Sequence, residues 1–321
     1  MEHSHDPIPR EDFVETEGPD GLGLVTQRFL AFNTVVTLLA FGDERACLTA
    51  FDRARADARR FERLFSRTLP HSDIARLNAA GGAPVEIEGD TADLLRRALA
   101  FCADSEGAFD ITMGAAVRLW DLRRAIIPPK AALREAITHV DWRGVRVWAE
   151  DDRAFAQLND AHAALDLGGI AKGWIADALA DTLAESELAS FLINLGGNVV
   201  ARGEKPEGIP WNVGIRDPRR ADGIVGSTPL RDASAVTSGI YERCCEVDGT
   251  LYHHILSPKT GMPAQTDVAG VTVIADRSID AEGYSTTLLA LGTSRGIAFA
   301  REHPVIRKAI FATRDGDVIE S

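Results

Sequence analysis

The hydrophobic pattern of this chain switches between the two-residue period of a strand and the 3.6-residue period of a helix, with no regular strand–helix–strand alternation. That irregular mixture fits an α+β fold better than a doubly wound parallel sheet. RFLAFNTVVTLLAF, rich in β-branched and aromatic residues, reads as a strand. In the segment that follows, Leu48, Phe51, Ala54, Ala58, Phe61 and Phe65 step by three or four, which predicts an amphipathic helix with a solvated, basic outer face. A second helix is expected over DTADLLRRALAFCADSEG, with Asp90 or Thr91 as cap and Gly107 just past its end. Pro128-Pro129 break the chain before a short helix in KAALREAITHV.

Further on, VRVWAE and AFAQLND leading into AALDLG read as strands, and IAKGWIADALADTLAESE keeps a helical period. FLINLGGNVVARG reads as one buried strand ending in glycines, and WNVGIRDP as another. AVTSGIYERCCEVDGTLYHHILSP has a hairpin pattern turning at Asp248-Gly249, and the chain closes with two strands around Asp315-Gly316. VAGVTVIAD is a strand, and AEGYSTTLLALG starts a helix. The expected architecture is a single intertwined domain over residues 26–321, of mixed, largely antiparallel sheets flanked by helices. Residues 1–25, charged and rich in Pro and Gly, are expected to form a flexible tail.

Charge narrows the function classes. A net charge of −13 repels phosphate backbones and anionic membranes, so no nucleic-acid or membrane partner is expected. No stretch has the roughly 20 apolar residues of a membrane helix. The start of the chain lacks the basic-then-apolar pattern of a secretory signal, and the four cysteines contain no CxxC pair, so a cytoplasmic location is expected.

Six short stretches carry chemical content. LDLGGIAKGWIAD puts Asp166, a glycine pair and Lys172 at a helix start, where unpaired N–H groups and the dipole favour phosphate. It matches neither the Walker loop nor the GxGxxG fingerprint. SEGAFDITMG joins a helix end to Asp110, and INLGGN ends a core strand in glycines. TSGIYER and YHHILSPKTGMP bring hydroxyls, a His pair and a basic residue. In AEGYSTT, Glu282 and Thr286 stand at i and i+4 on one helix face, a donor set suited to a hard cation such as Mg²⁺. His253 and His254 would face opposite ways on a strand. Trp120 and Trp211 read as core or pocket-wall residues, and Cys244 and Cys245 as packing positions.

Together with ERLFSRTLPHSDIARLN and VTVIAD, these motifs in this order resemble the FAD:protein FMN transferases of the ApbE family, from about residue 28 to the end of the chain. The resemblance implies Mg²⁺-dependent transfer of FMN from FAD to a Thr or Ser hydroxyl of an acceptor flavoprotein through a phosphoester, with release of AMP. It implies that Ala108, Phe109 and Asp110 line the FAD site and that Asp166 and Lys172 contact it. It assigns the metal to the Gly169 carbonyl, Glu282, Ser285 and Thr286, and the catalytic base to His254. The chain departs from the family pattern at Glu282, where Asp is usual, at Thr68, where an aromatic residue is common, and at Phe32-Asn33-Thr34, where Met-Gly-Thr is usual. The rival readings are an FAD pyrophosphatase giving FMN and AMP, and a non-catalytic flavin-binding or delivery protein.

Overall fold

A computed structural model describes residues 13–218, 220 and 223–321. Strands β1 (Val14–Glu17), β2 (Leu24–Ala31) and β3 (Thr34–Phe41) form an antiparallel meander. The strand expected over residues 28–41 is therefore a hairpin. Phe32 and Asn33 both adopt positive φ (53° and 59°), the left-handed pair that matches a two-residue turn to the twist of its strands. Val14–Glu17 pairs with β2, so this part of the expected tail is sheet edge, while residues 1–12 lie outside the described residues.

Helix α1 (Glu44–Phe65) follows the predicted apolar stripe and starts on Asp43, whose side chain accepts from Ala46 N–H. Next come α2 (Asp73–Ala79), β4 (Val85–Ile87) and α3 (Gly89–Asp104). Neither Asp90 nor Thr91 caps α3. Buried Asp73 instead accepts from Glu88 N–H at 2.9 Å and from the Thr91 hydroxyl at 2.6 Å. The short α4 (Gly114–Val117) and α5 (Lys130–Ile137) precede β5 (Val145–Glu150) and β6 (Arg153–Leu158), which form a three-stranded sheet with β4. AALDLG is not a strand and makes only a single bridge, Ala164 to Met113.

Helix α6 (Ala171–Glu185) leads into β7 (Ser190–Leu195) and β8 (Asn198–Arg202). The glycines of NLGGN do not end a strand but turn it, Gly196 and Gly197 taking φ of 59° and 100°. A ribbon of β9 (Trp211–Arg216) and β10 (Ile224–Leu230) follows, then β11 (Ala233–Gly239). The hairpin of β12 (Cys244–Val247) and β13 (Thr250–His253) turns at Asp248-Gly249 as expected. Last come β14 (Val268–Ala275), α7 (Ser278–Glu302), β15 (Lys308–Thr313) and β16 (Val318–Glu320). Gly292 breaks α7 at φ 78°, and Asp267 restarts it by accepting from Thr293 N–H at 2.9 Å.

Nine strands form one sheet in the order β1-β2-β3-β7-β8-β11-β14-β15-β16, every neighbour antiparallel. Side-chain alternation splits its two faces. Phe191, Ile193, Leu195, Val200 and Val236 join the main core under α1, α6 and α7. Val199, Ala201, Ala233 and Ala235 face the other way, onto Trp211 and Leu230 of the β9–β10 ribbon. The α+β architecture with largely antiparallel sheets is as the sequence pattern predicts.

The crossing of α6 over α7 sets the later geometry. A side chain at Gly173 would bring its Cβ to 2.6 Å from the Ser278 carbonyl oxygen and 2.8 Å from Ile279 Cα, both backbone atoms that cannot swing aside. Gly173→Ala should therefore lower stability by about 1–3 kcal/mol. A fall in the urea midpoint at unchanged m value checks it, and an unchanged midpoint would show that the helices separate freely.

Candidate functional site

The stretch between Leu165 and Ala171 is a tight turn organised by Asp166. Its Oδ1 accepts from Gly168 N–H at 2.8 Å, and its Oδ2 meets Arg67 Nε at 3.1 Å. Helix α6 then begins, and its first turn is not an open anion seat. Glu282, 2% exposed on α7, takes the Gly173 N–H on Oε2 and the Lys172 ammonium on Oε1 at 2.7 Å. A carboxylate from the neighbouring helix thus occupies the position the dipole makes favourable for an anion. Lys172 Nζ also reaches Asn198 Oδ1 at 3.4 Å, on the strand just past the glycine turn. Asn198 is buried, and among the described residues its Nδ2 has no hydrogen-bond partner.

One turn further along α7 lies a cluster of hydroxyls. Ser285 Oγ donates to the Glu282 carbonyl at 3.0 Å and lies 2.8 Å from Ser238 Oγ, which is also 3.3 Å from Thr286 Oγ1. Gly169 packs against the same residue, since a Cβ there would stand 3.5 Å from Thr286 Oγ1 and 3.1 Å from the Phe109 ring. Gly169, Glu282, Ser285 and Thr286 are thus brought to one place, with Ser238 of β11 added. These donors are all oxygens, one carboxylate among hydroxyls and backbone, which is the chemistry of a hard divalent cation rather than of zinc. Among the described residues, no group of three or more His, Cys, Asp or Glu side chains is placed to hold a metal.

The remaining sequence candidates are arranged around this centre. Phe109 is buried and touches the Gly169 turn. Ala108 is half-buried, its N–H bonded to the Ser105 carbonyl. Asp110 turns its carboxylate inward, Oδ1 to the Thr112 N–H and hydroxyl and Oδ2 to Trp142 N–H at 3.3 Å. Burial pushes its pKa above the ordinary carboxylate value despite these bonds.

His254 lies one residue beyond the end of β13, so the strand rule of opposite faces does not extend to it. Its Nδ1 lies 3.2 Å from the Arg243 carbonyl, an acceptor only, so Nδ1 carries the proton and Nε2 presents a lone pair. Burial, then the charge of Arg243, with Lys172 adding to it, pushes its pKa down to about 3. Desolvation, with the Glu282 charge adding to it, raises the carboxyl pKa of Glu242 against the opposing pull of Lys172, Arg243 and Arg216. Tyr241 is pushed up to about 12, chiefly by burial.

The ApbE family model matches residues 32–311. The chain belongs to the ApbE family. It is 43% identical over 263 residues to the FAD:protein FMN transferase of Treponema pallidum, covering 76% of this chain and 71% of the relative. It is 35% identical over 267 residues to the enzyme of that name from Klebsiella pneumoniae, covering 82% of each. Among solved structures it resembles the ApbE protein of Thermotoga maritima, with a TM-score of 0.84 and 28% identity over 92% of this chain and 96% of that one. The apo flavinyl transferase ApbE of Pseudomonas stutzeri superposes with a TM-score of 0.79 at 25% identity, covering 96% of this chain and 94% of the other.

Four polar residues next to these candidates have no role in the sequence reading: Arg67 on Asp166, Asn198 on Lys172, Ser238 on Ser285, and Glu242, which feels the charge of Lys172. Each falls inside a quoted motif, and the polar character of Ser238 and Asn198 beside glycines is the available signal. Trp120 fits its structural reading, its Nε1 donating to the Gly261 carbonyl at 3.0 Å, and Trp211 is core. Cys244, read as a packing position, is exposed.

The state of His254 has a measurable consequence. Its folded pKa of about 3 lies below the unfolded value of about 6.5, so the unfolded chain binds the proton first. The stabilising contribution is present above about pH 6.5 and is lost as pH falls toward 3. Between about pH 7.5 and pH 5, the urea midpoint of the wild type should fall more than that of His254→Asn. Parallel falls would show that the imidazole protonates as readily in the folded protein as in the unfolded one.

Proposed function

We propose that this chain is an FAD:protein FMN transferase that moves the FMN half of FAD onto a Thr or Ser hydroxyl of an acceptor flavoprotein and releases AMP. Family membership and the two named relatives support the transferase reading. The observation that carries the chemistry is the Lys172–Glu282 pair beside the hydroxyl cluster of Ser238, Ser285 and Thr286, with an Nδ1-protonated His254 close enough to feel the charge of Lys172.

In this reading Lys172 and Arg67 give positive charge to the phosphates of FAD, and Phe109, with Ala108 and Asp110 behind it, lines the flavin nucleotide. Asp166 orients Arg67 and fixes the turn that exposes Gly169. Mg²⁺, held by Glu282, Thr286, Ser285 and the Gly169 carbonyl, would neutralise charge growing on the non-bridging oxygens. The acceptor oxygen forms the new bond to the FMN phosphorus while the pyrophosphate bridge bond breaks toward AMP. His254 Nε2 accepts the hydroxyl proton. The lowered pKa keeps the imidazole neutral at neutral pH, so Nε2 is free to accept the proton as the new bond forms. The four free thiols, two of them buried, support the cytoplasmic assignment, and no helix of the described residues is long and apolar enough to cross a membrane.

Incubation with FAD, Mg²⁺ and an acceptor flavoprotein, followed by AMP assay and flavin fluorescence on the denatured acceptor band, tests the reading. Labelled acceptor with stoichiometric AMP is expected. AMP without label would make the protein an FAD pyrophosphatase, and intact bound FAD would make it a binding or delivery protein. His254→Ala should slow labelling by about 10²-fold or more at unchanged FAD affinity. Glu282→Asp should keep Mg²⁺-dependent turnover; a folded but inactive Glu282→Asp protein would remove Glu282 from the cation site.

A further inference from the structure

Glu282 carries two assignments, the Lys172 ammonium and a divalent cation, that put two positive charges in competition for one carboxylate. Its Oε2 is fixed by the Gly173 N–H, and its Oε1 holds the Lys172 ammonium at 2.7 Å. A divalent cation bonded to Oε1 would stand about 2.1 Å from that oxygen and beside the ammonium, where like charges at short range repel strongly. One of the three must give way. The carboxylate is 2% exposed and anchored to the backbone of α6, so it stays. Lys172 can leave: its side chain is 31% exposed, its four-carbon stem is flexible, and Asn198 Oδ1 offers a second acceptor at 3.4 Å. Glu242, whose carboxyl feels the charge of Lys172, adds a pull on the same ammonium.

We propose that Lys172 is the exchangeable counter-cation of Glu282: a divalent cation displaces it from Oε1, and the displaced ammonium turns toward Asn198 and the cleft, where it meets the phosphates of FAD. The inference rests on Glu282 being a cation ligand, and it adds an order of events. Cation binding frees the phosphate-binding lysine, and a phosphate that takes up the lysine clears the carboxylate for the cation. The two ligands therefore favour each other through one side chain, as reciprocal linkage requires.

Binding of Mn²⁺ to the flavin-free protein, followed by the paramagnetic resonance of the free ion, tests the exchange without catalysis. Lys172→Met removes the competitor and should tighten Mn²⁺ binding by about tenfold, whereas Lys172→Arg, which keeps the charge, should stay within about threefold of wild type. Equal affinity in Lys172→Met and wild type would overturn the proposal. Because Lys172→Met leaves a buried carboxylate uncompensated and can destabilise the fold, a second measurement uses the wild type alone. Acetylation of Lys172 by acetic anhydride, quantified by mass spectrometry, should rise about threefold when Mg²⁺ is added; unchanged or reduced labelling overturns the exchange. Glu282→Gln separates the two ideas. Mn²⁺ binding as tight as wild type in Glu282→Gln would remove the cation reading itself, whereas its loss there beside an unmoved Lys172→Met affinity removes only the exchange.

Discussion

The arrangement depends on a reciprocal capping between two helices. Glu282 of α7 takes the N–H of Gly173 in the first turn of α6, and Asp177 of α6 takes the N–H groups of Ser278 and Ile279 at the start of α7, at 2.9 and 3.0 Å. Each helix thus supplies the anion that the other's positive end favours. Only glycine at position 173 lets the two backbones come close enough for both exchanges. The crossing is not built for stability alone. Burial raises the pKa of Asp177 although two backbone N–H groups and Arg277 oppose it, so dehydration outweighs the bonds gained. Two carboxylates buried at one helix crossing are what a site retains for chemistry at some cost to the fold.

The electrostatics around the α6–α7 crossing run against those of the whole molecule. The chain carries −13, yet Lys172, Arg216 and Arg243 all act on Glu242 beside the β12–β13 hairpin, and Arg67 pairs with Asp166 ahead of α6. A small cationic region in an acidic protein attracts a compact polyphosphate without making the surface generally attractive to long anions such as nucleic acid. Glu242 and Glu282 keep that region from becoming a simple anion trap, because each sets a carboxylate against the same lysine. The result is a mixed field suited to a phosphate that arrives with a divalent cation.

Legibility in the sequence followed the range of the interaction. The helices α1 and α6, the Asp248-Gly249 hairpin and the closing strands around Asp315-Gly316 could be read, because period and turn chemistry are local. The β2–β3 hairpin was missed because its turn is Phe32-Asn33, which carries no glycine to mark two left-handed residues in a row. The NLGGN turn reads as a strand end when its glycine pair is assigned to ligand approach, although Gly-Gly between two apolar runs is also a local two-residue hairpin signal, and that is what it forms. In the site, the members of each motif were visible, but their pairing was not. Lys172 meets Glu282 across 110 positions, and Ser238 meets Ser285 across 47. Those contacts follow from β11 lying between β8 and β14 under α7, a strand order that composition and period do not encode.

The same topology explains why the anion seat predicted at the start of α6 took a different form. A glycine turn before a helix offers N–H groups to any anion, and the crossing delivers one from within the protein. With Gly173 N–H committed to Glu282, the dipole of α6 acts on a ligand through that carboxylate and not directly. Under the proposed function, recognition of phosphate would then fall to side chains that can move, Lys172 foremost, while the fixed backbone holds the carboxylate that a cation would share. A seat rigid toward the cation and adaptable toward the phosphate is a sensible division for group transfer. In the proposed reaction a metal ligand would have to stay fixed as the pyrophosphate bond breaks, while the charge growing on the leaving AMP would be followed by the mobile side chain.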